Sequence, residues 1–572
     1  MFKNLKLIKR TLDNKLKVRF LKVFIFNNIT VILETFGIGI LFIILNVSTS
    51  KSYYGDFYNK FIDIFSFNLK EENLILFLLI FFVIFFIIKL FFIVFTKYYE
   101  QSTVQKVEYF YIRLFLNKYF NTSILLFSSF NSAKLVSNMQ KEVNLFVNHI
   151  IFNYVAIVSE VFLCIMFLTF LFYVNFKVTL FIIFFFIFIS SFYILFFKKK
   201  LKSIGIERQK SDVDYLKFLN ESFYLIKEIK IFLLQNFLIN KFNVIVFKRF
   251  KIVLQELIIN QLPRLLLEFF LIVLAVVFFV YLILSNYNIM SYIALFGTYT
   301  FASLKVLPSV NRIIQIFNSI NFNFAAGRLV ISVLKDIKYN QMINTLNKNK
   351  KISYNFNNYK KIQSISFDKI SFDYSDSKKL INKLNIKFKL GEFNLIKGDI
   401  GSGKTTLLNI LSGLIQPING NVCINGARIN NYPIHTRVGF VHQNSHILDD
   451  TLINNVCLGL SKQEIIKEKF INILKDLNIY YLYKKFEDKV KLGERGNKLS
   501  GGEQQKVAIA RVLYRNREIL LFDEATSSLD LRSEKEICEL INKFKKTKII
   551  IFVSHKESVE KYSDKIFLFK KK

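Results

Sequence analysis

The chain has 572 residues, of which 52% are hydrophobic and 67 are phenylalanine, and it carries a formal net charge of +37. That length holds several domains, and so apolar a composition excludes a purely soluble enzyme. The charge reflects a Lys/Asn/Ile/Phe-rich composition and the Lys and Arg that cytoplasmic loops collect, so it does not call for a nucleic-acid partner.

The N-terminal stretch "MFKNLKLIKRTLDNKLKVRF" is basic and lacks a cleavage site. The apolar run after it is too long for a signal-peptide core and is read as a retained first span. Six segments are apolar enough to cross a bilayer, which takes about 20 residues each. They run from Leu21 to Leu45, Asn73 to Thr96, Ile150 to Tyr173, Val178 to Phe197, Leu265 to Leu284 and Ile289 to Ile314. The gaps from Lys97 to His149 and from Lys198 to Arg264 are long and Lys-rich, whereas "VNFK" and "SNYN" are short turns. The positive-inside rule therefore puts the long gaps and both chain ends in the cytoplasm. Helical periodicity in "DYLKFLNESFYLIKEIKIFLL" (Asp214–Leu234) predicts that the spans continue as helices beyond the membrane. The expected division is a membrane domain over 1–340, a polar linker over 341–362 and a soluble domain over 363–572. Cys164, Cys423, Cys457 and Cys538 show neither CxxC pairing nor histidines at metal spacing, which suggests neither a disulfide framework nor a zinc site. Three of the four lie in the soluble third, as suits a reducing cytosol.

Within the soluble third, "IKGDIGSGKTTLL" (Ile396–Leu408) has the form G-x-x-x-x-G-K-T between a strand and an apolar helix, the setting in which a P-loop is meaningful. Gly398, Asp399, Ile400, Gly401, Ser402 and Gly403 are expected to turn their backbone around phosphates at a helix N-terminus. Lys404 reaches β- and γ-phosphates in this reading. Thr405 offers a hydroxyl to Mg²⁺, and Thr406 extends the loop. Downstream, "EILLFDEATSSLD" (Glu518–Asp530) is an apolar strand ending in Asp523 and Glu524. Asp523 is the expected Mg²⁺ carboxylate and Glu524 the group that polarises an attacking water. An acidic pair capping a strand would be unremarkable alone; after a P-loop it points to ATP hydrolysis.

"NKLSGGEQQKVAIARVL" (Asn497–Leu513) resembles the signature of ABC transporters, with Glu503 where the family usually has Gln. The resemblance implies that Ser500, Gly501 and Gly502 contact the γ-phosphate of ATP held by an opposite subunit. By the same resemblance, Tyr374 stacks on adenine. Gln443 senses Mg²⁺ and the nucleophilic water and touches the membrane domain. Asp530 lies at the subunit interface, and His555 contacts the γ-phosphate. "LGERG" (Leu492–Gly496) resembles an element typical of exporters. The expected fold is thus a membrane α-helical domain of six transmembrane helices with long cytoplasmic extensions, followed by an α/β P-loop nucleotide-binding domain. One signature and one P-loop per chain imply a homodimer with two ATP·Mg²⁺ sites.

Cargo has to be read from the spans. Lys89 and Lys305 each lie roughly 24 Å from the outer face at 1.5 Å per residue. Arg312, a heptad beyond Lys305, shares its helix face, and Pro308 between them is a candidate kink towards a cavity. The structural alternative is snorkelling, or pairing with Glu34, Glu160 or Glu268. Three cations in the cytoplasmic half favour a site for an anionic headgroup. "LETFGIGILFIIL", "LPRLLLE" and "KVLPSVNRII" resemble segments of the lipid-linked oligosaccharide flippases of bacterial protein N-glycosylation, the PglK type. That resemblance implies that Lys89, Lys305 and Arg312 contact a polyprenyl pyrophosphate in a bacterial inner membrane. It also implies that Lys51 to Glu72 is an external loop engaging the lipid tail. Export of another amphiphile, such as a lipid-A-like lipid, a drug or a peptide, is the competing expectation. A non-transporting regulatory ATPase fits poorly with six spans and a complete catalytic set.

Overall fold

The computed structural model describes residues 11–49, 74–128, 130–174, 176–284, 289–336, 361–374, 380–428 and 434–570. The chain divides into two compact units, 1–122 with 128–351, and 123–127 with 352–572.

The first unit is helical. Its main elements are α1 (Asn14–Thr49), α2 (Leu74–Phe120), α3 (Phe152–Val174), α4 (Phe176–Tyr224), α5 (Gln235–Leu284), α6 (Ile289–Phe322) and α7 (Phe324–Asp336). At 1.5 Å per residue, α2, α4 and α5 are each roughly 70–75 Å long, far more than a bilayer core needs. The helical continuation expected of the Lys-rich gaps is therefore present. Among the described residues it has two breaks: α2 ends at Phe120 and a short helix at Ile124–Ser128 precedes the restart at Ser132, while α4 stops at Tyr224, a short helix occupies Ile226–Ile231, and Leu233 takes a left-handed φ of 52° before α5 begins. The third span starts earlier than its hydropathy suggests. Helix is continuous from Ser132, with π-helical turns at Asn138–Glu142 and Val147–Ile151. Each π-turn lets an extra residue into the ladder, as the bonds from the Val143 N–H to the Asn138 carbonyl and from the Phe152 N–H to the Val147 carbonyl show.

Among the described residues, four helices are long and apolar enough to cross a membrane: Leu76–Phe120, Ser132–Thr169, Phe176–Tyr224 and Gln235–Val280. The first and sixth expected spans fall on α1 and α6, and the side chains of residues 289–305 lie outside the described set. The expected external loop at 51–72, the turn at 285–288 and nearly all of the linker also lie outside it. Pro263 and Pro308 sit inside continuous helices.

Two features tie the helices together. Arg208 on α4 grips Glu142 through two nitrogens at 3.1 and 3.2 Å and reaches Asp212 at 3.1 Å. Asp212 also holds Lys141 and, at 3.0 Å, Arg249 of α5. Arg208, Glu142 and Asp212 are buried, and a buried charge persists only when paired this fully. The second feature is Gly205, against which α6 packs so closely that a Cβ would stand 1.9 Å from the Phe322 carbonyl oxygen. Gly205→Ala is therefore expected to force a backbone shift costing about 1–3 kcal/mol. Thermal unfolding of the purified protein in detergent would read this as a lower midpoint, and an unchanged midpoint would contradict the close approach.

The second unit carries two sheets. One is antiparallel, in the order β2-β1-β4-β5, built from β1 (Ser364–Phe372), β2 (Ile381–Lys389), β4 (Asn419–Ile424) and β5 (Ala427–Arg428). The other is parallel, in the order β6-β7-β8-β3-β9, from β3 (Phe393–Gly398), β6 (Val438–Val441), β7 (Ile519–Asp523), β8 (Ile549–Val553) and β9 (Lys565–Phe569). The strands β7 and β8 are entirely buried, which is why both read as unbroken apolar runs. Helices α8 (Lys404–Leu411), α9 (Gly501–Arg515) and α10 (Leu531–Lys543) complete the parts needed below.

Candidate nucleotide site

The parallel register assembles the site. Val553 pairs with Ile396 on one side and with Asp523 on the other. Ile396, Val553 and Asp523 therefore lie level, with β3 running on to Gly398. Chain emerging from them supplies Gly398–Lys404, Glu524 and His555 along one edge, the carboxyl edge at which open α/β sheets bind ligands.

After β3 the chain turns through Gly398, Gly401 and Gly403, with φ of 153°, 80° and 94°. At Gly398 a Cβ would lie 2.0 Å from the Phe569 carbonyl oxygen, while Gly401 faces open space. Gly403 caps α8 without offering a side-chain acceptor, so the first-turn N–H groups of that helix have no capping side chain. Ser402 Oγ is buried and has no hydrogen-bond partner among the described residues. Lys404 folds over the loop and donates to the Gly398 and Asp399 carbonyls at 2.6 and 2.8 Å. Burial lowers its pKa, opposed by Glu524, Asp523 and Asp399. An uncapped helix start, a buried unpartnered hydroxyl and a lysine held on loop carbonyls together fit a polyphosphate. The Ile400 side chain is 89% exposed, so only its backbone belongs to the loop.

Asp523 is 5% exposed and accepts from Thr405, the two groups expected to share a metal. Burial raises its pKa, with Glu524 adding to the shift and Thr405 and Lys404 opposing it. Glu524 sits in left-handed backbone, φ 46°, its N–H anchored to the Val553 carbonyl at 3.0 Å. Its carboxylate accepts from Gln443 Nε2 at 2.7 Å, and His555 Nε2 lies 3.8 Å away. Two residues that follow other strands, Gln443 after β6 and His555 after β8, thus converge on the Glu524 carboxylate after β7. The Tyr374 hydroxyl stands 3.1 Å from the Thr406 hydroxyl, its ring edge-on to Phe372 and largely exposed.

A second group forms around α9. Ser500 caps the helix and Glu503 closes a reciprocal capping box. The Glu503 N–H donates to Ser500 Oγ at 3.3 Å, and the Ser500 N–H donates to the Glu503 carboxylate at 2.6 Å. Gly501 and Gly502 form its first turn, where a Cβ on Gly502 would meet Leu529 at 3.2 Å. Asp530 caps α10 by accepting from the Ser533 N–H at 3.1 Å, which holds its carboxyl below the usual range.

The structure adds residues that motif reading missed. Tyr481 donates to Glu503 at 2.6 Å. Burial opposes ionisation of Glu503, but Tyr481, Ser500 and Lys485 outweigh it and hold the carboxyl low. Gln505 links α9 to the loop after β7 through Ser527 and Ser528, at 3.0 and 3.1 Å. Lys556, next to His555, joins that loop at the Thr526 carbonyl, 2.8 Å, and reaches buried Glu534 at 3.2 Å. Gln505 lies inside the signature, where its type gave a usable hint. Tyr481 and Lys556 carry no such signal.

A P-loop edge, an acidic strand end and a capped signature helix, in a chain that also carries long apolar helices, define a membrane-associated nucleotide-binding protein. Family comparison narrows this. The ABC transporter transmembrane region matches residues 20–307, and the ABC transporter domain matches 381–527. The chain belongs to the ABC transporters, with an exporter-type membrane domain ahead of an ATP-binding domain. It is 33% identical over 208 residues to the ATP-dependent lipid A-core flippase of Francisella tularensis subsp. holarctica (strain OSU18), covering 36% of this chain and 34% of that one. It is 35% identical over 233 residues to the putative export ATP-binding/permease protein RT0691 of Rickettsia typhi (strain ATCC VR-144 / Wilmington), covering 39% and 40%. It is 33% identical over 208 residues to the putative multidrug export ATP-binding/permease protein YgaD of Bacillus subtilis (strain 168), covering 35% and 36%. The matched stretch spans about a third to two fifths of these relatives. The solved structure of a bacterial Atm1-family ABC exporter with ATP bound superposes with a TM-score of 0.68 at 18% identity, over 93% of this chain and 92% of that one. This likeness concerns the fold.

The raised pKa of Asp523 yields a signed prediction. A carboxyl whose folded pKa exceeds its unfolded value adds stability only at low pH and loses it as pH rises through the folded value. At neutral pH the buried carboxylate is thus a burden, and Asp523→Asn should raise the melting temperature of the nucleotide-free protein. The gain should shrink as the pH falls below the folded pKa. Melting curves across pH would show it; a lower midpoint at neutral pH would contradict it.

Proposed function

We propose that the chain is one half of a homodimeric, ATP-driven exporter of the bacterial inner membrane, with six spans and both ends in the cytoplasm. The observation that carries the ATPase reading is the convergence of Gln443 and His555 on Glu524. In this reading the P-loop amides and Lys404 hold the phosphates and Tyr374 holds the base. Thr405 and Asp523 hold Mg²⁺, which supplies neutralisation of phosphate charge. Gln443 and His555 keep the Glu524 carboxylate aimed, and Glu524 takes the proton of the attacking water. Ser500, Gly501, Gly502 and Asp530 serve the site of the second subunit. Removal of a general base costs about 10²–10⁴-fold. Glu524→Gln should therefore lower kcat of ATP hydrolysis by at least about 100-fold while nucleotide affinity stays within a few-fold. Substantial remaining hydrolysis would remove Glu524 from this role.

The cargo proposed is an amphiphile with an anionic headgroup, specifically a polyprenyl-pyrophosphate-linked oligosaccharide moved from the cytoplasmic to the outer leaflet. Lys89 supports it: this cation is buried on α2, with its ammonium 4.7 Å from the Phe86 ring centroid. Arg312 has a protein partner. It pairs with Glu160 at 3.0 Å, its own side chain 65% exposed, and Glu268 is taken by Arg264 at 2.7 Å. The Lys305 side chain lies outside the described residues. With Arg312 paired to Glu160, its charge is partly answered within the protein and it argues less strongly for a pyrophosphate headgroup. Relatives named as lipid A-core flippases support a lipid-A-like lipid as the second reading. Vesicles holding the chain and either a tagged lipid-linked glycan or a tagged lipid-A-like lipid decide between them, by ATP-dependent movement between leaflets. In that assay Lys89→Met should reduce transport at least about tenfold and spare basal ATP hydrolysis. Equal loss of both activities would assign Lys89 a purely structural part.

A further inference from the structure

The start of α1 and Tyr99 of α2 frame an open cleft of about 480 Å³ that the transport reading leaves unused. Its lining is Asn14, Lys15, Val18, Arg19, Lys22 and Tyr99. Three of these six are cations and none is an acid. Lys15, Arg19 and Lys22 follow at i, i+4 and i+7, so they share one helix face, where like charges repel. The other face of this helix is committed to the core through Leu16, Phe20, Val23 and Phe24, with Leu12 just ahead of it. The cations are therefore presented outward by a helix that cannot rotate away.

The floor of the cleft is apolar. The Arg19 guanidinium carbon lies 5.7 Å from the Tyr99 ring centroid, and that ring is fixed edge-on against Phe26 at 5.3 Å. The neighbouring acid on α2, Glu100, is held by Lys97 at 2.8 Å. Asp13 is exposed just ahead of the helix and does not line the cleft. Val18, Leu21 and Ile25, spaced i, i+3 and i+7, continue from the cleft as an exposed apolar strip, 54%, 57% and 44% accessible. A concentration of positive charge beside an aromatic floor, opening onto an apolar strip that leads into a membrane helix, matches a phosphate headgroup with an acyl chain. Basic pockets at the cytoplasmic end of membrane helices hold such lipids.

We propose that this cleft binds a resident anionic phospholipid of the cytoplasmic leaflet, its phosphodiester among Lys15, Arg19 and Lys22 and an acyl chain along Val18, Leu21 and Ile25. The proposal rests on the cytoplasmic placement of the N-terminus and is independent of what the exporter carries.

The chain contains no tryptophan, so Val18→Trp installs a single reporter. The full-length Val18→Trp protein goes into nanodiscs of phosphatidylcholine containing increasing brominated phosphatidylglycerol or, separately, brominated phosphatidylcholine. Quenching should set in at a far lower mole fraction of the anionic lipid. Adding Lys15→Ala, Arg19→Ala and Lys22→Ala should weaken that preference on the order of 100-fold, and Arg19→Ala alone about fivefold, as expected for about 1 kcal/mol per basic residue. Replacing Lys198, Lys199 and Lys200 with Ala should leave it unchanged. ATP hydrolysis retained by each variant confirms that it has folded. Four outcomes would overturn the proposal. The first is a preference that survives the triple cleft variant, and the second is equal loss in the Lys198–Lys200 control. The third is absence of quenching in every background, as when a second subunit covers the face, and the fourth is full reversal of quenching by excess inorganic phosphate. Failure of transport with quenching intact would count against the cargo and leave the lipid site standing.

Discussion

The candidate nucleotide site depends on one constraint, the shared register that sets Ile396 of β3, Val553 of β8 and Asp523 of β7 level. A slip of one residue on any of these strands would reverse every side chain about the sheet. It would also move Glu524 off the Val553 carbonyl that anchors its N–H. Buried strands protect that register, because β7 up to Phe522 and all of β8 are apolar on both faces. The cost of placing an acid at the end of such a strand is visible in the upward shift of Asp523. Nearby Thr405 and Lys404 limit it.

The membrane unit rests on a different kind of constraint. Its helices are too apolar on too many sides for hydrophobicity alone to choose their neighbours. Pairing of Arg208 with Glu142 and Asp212, and the bare backbone of Gly205 against Phe322, supply that choice. Charge fixes which helices meet, and the absence of a side chain fixes how closely. The π-turns beside Glu142 show the backbone adjusting within the same region.

The nucleotide-binding unit was largely legible from sequence because its chemistry is local. Gly398–Thr405, Asp523–Glu524 and Ser500–Gly502 are short runs whose meaning follows from spacing and from the strand or helix beside them. The partners were not legible. Gln443 and Glu524 are 81 residues apart and meet only through sheet order, and nothing near Tyr481 announces that it holds Glu503. In the membrane unit, hydropathy located the helices but not their ends, since a span and its soluble continuation share one hydrogen-bond ladder. It also left open whether Arg312 was free, because its partner Glu160 lies 152 positions away on another helix. The unusual Glu503 keeps a local task. Its carboxylate closes the cap of its own helix, a task that a Gln can also perform.

The left-handed backbone at Glu524 has a further consequence. A non-glycine residue there carries a steric cost of about 1–2 kcal/mol that glycine would not. In the proposed mechanism, substitutions that relax this turn would make the domain hardier as they disarm it. Selection for robustness and selection for turnover therefore pull in opposite directions at this position. A lineage of this chain released from its transport duty would be expected to drift here early, towards Gly or Asn, and to keep its fold after losing its engine.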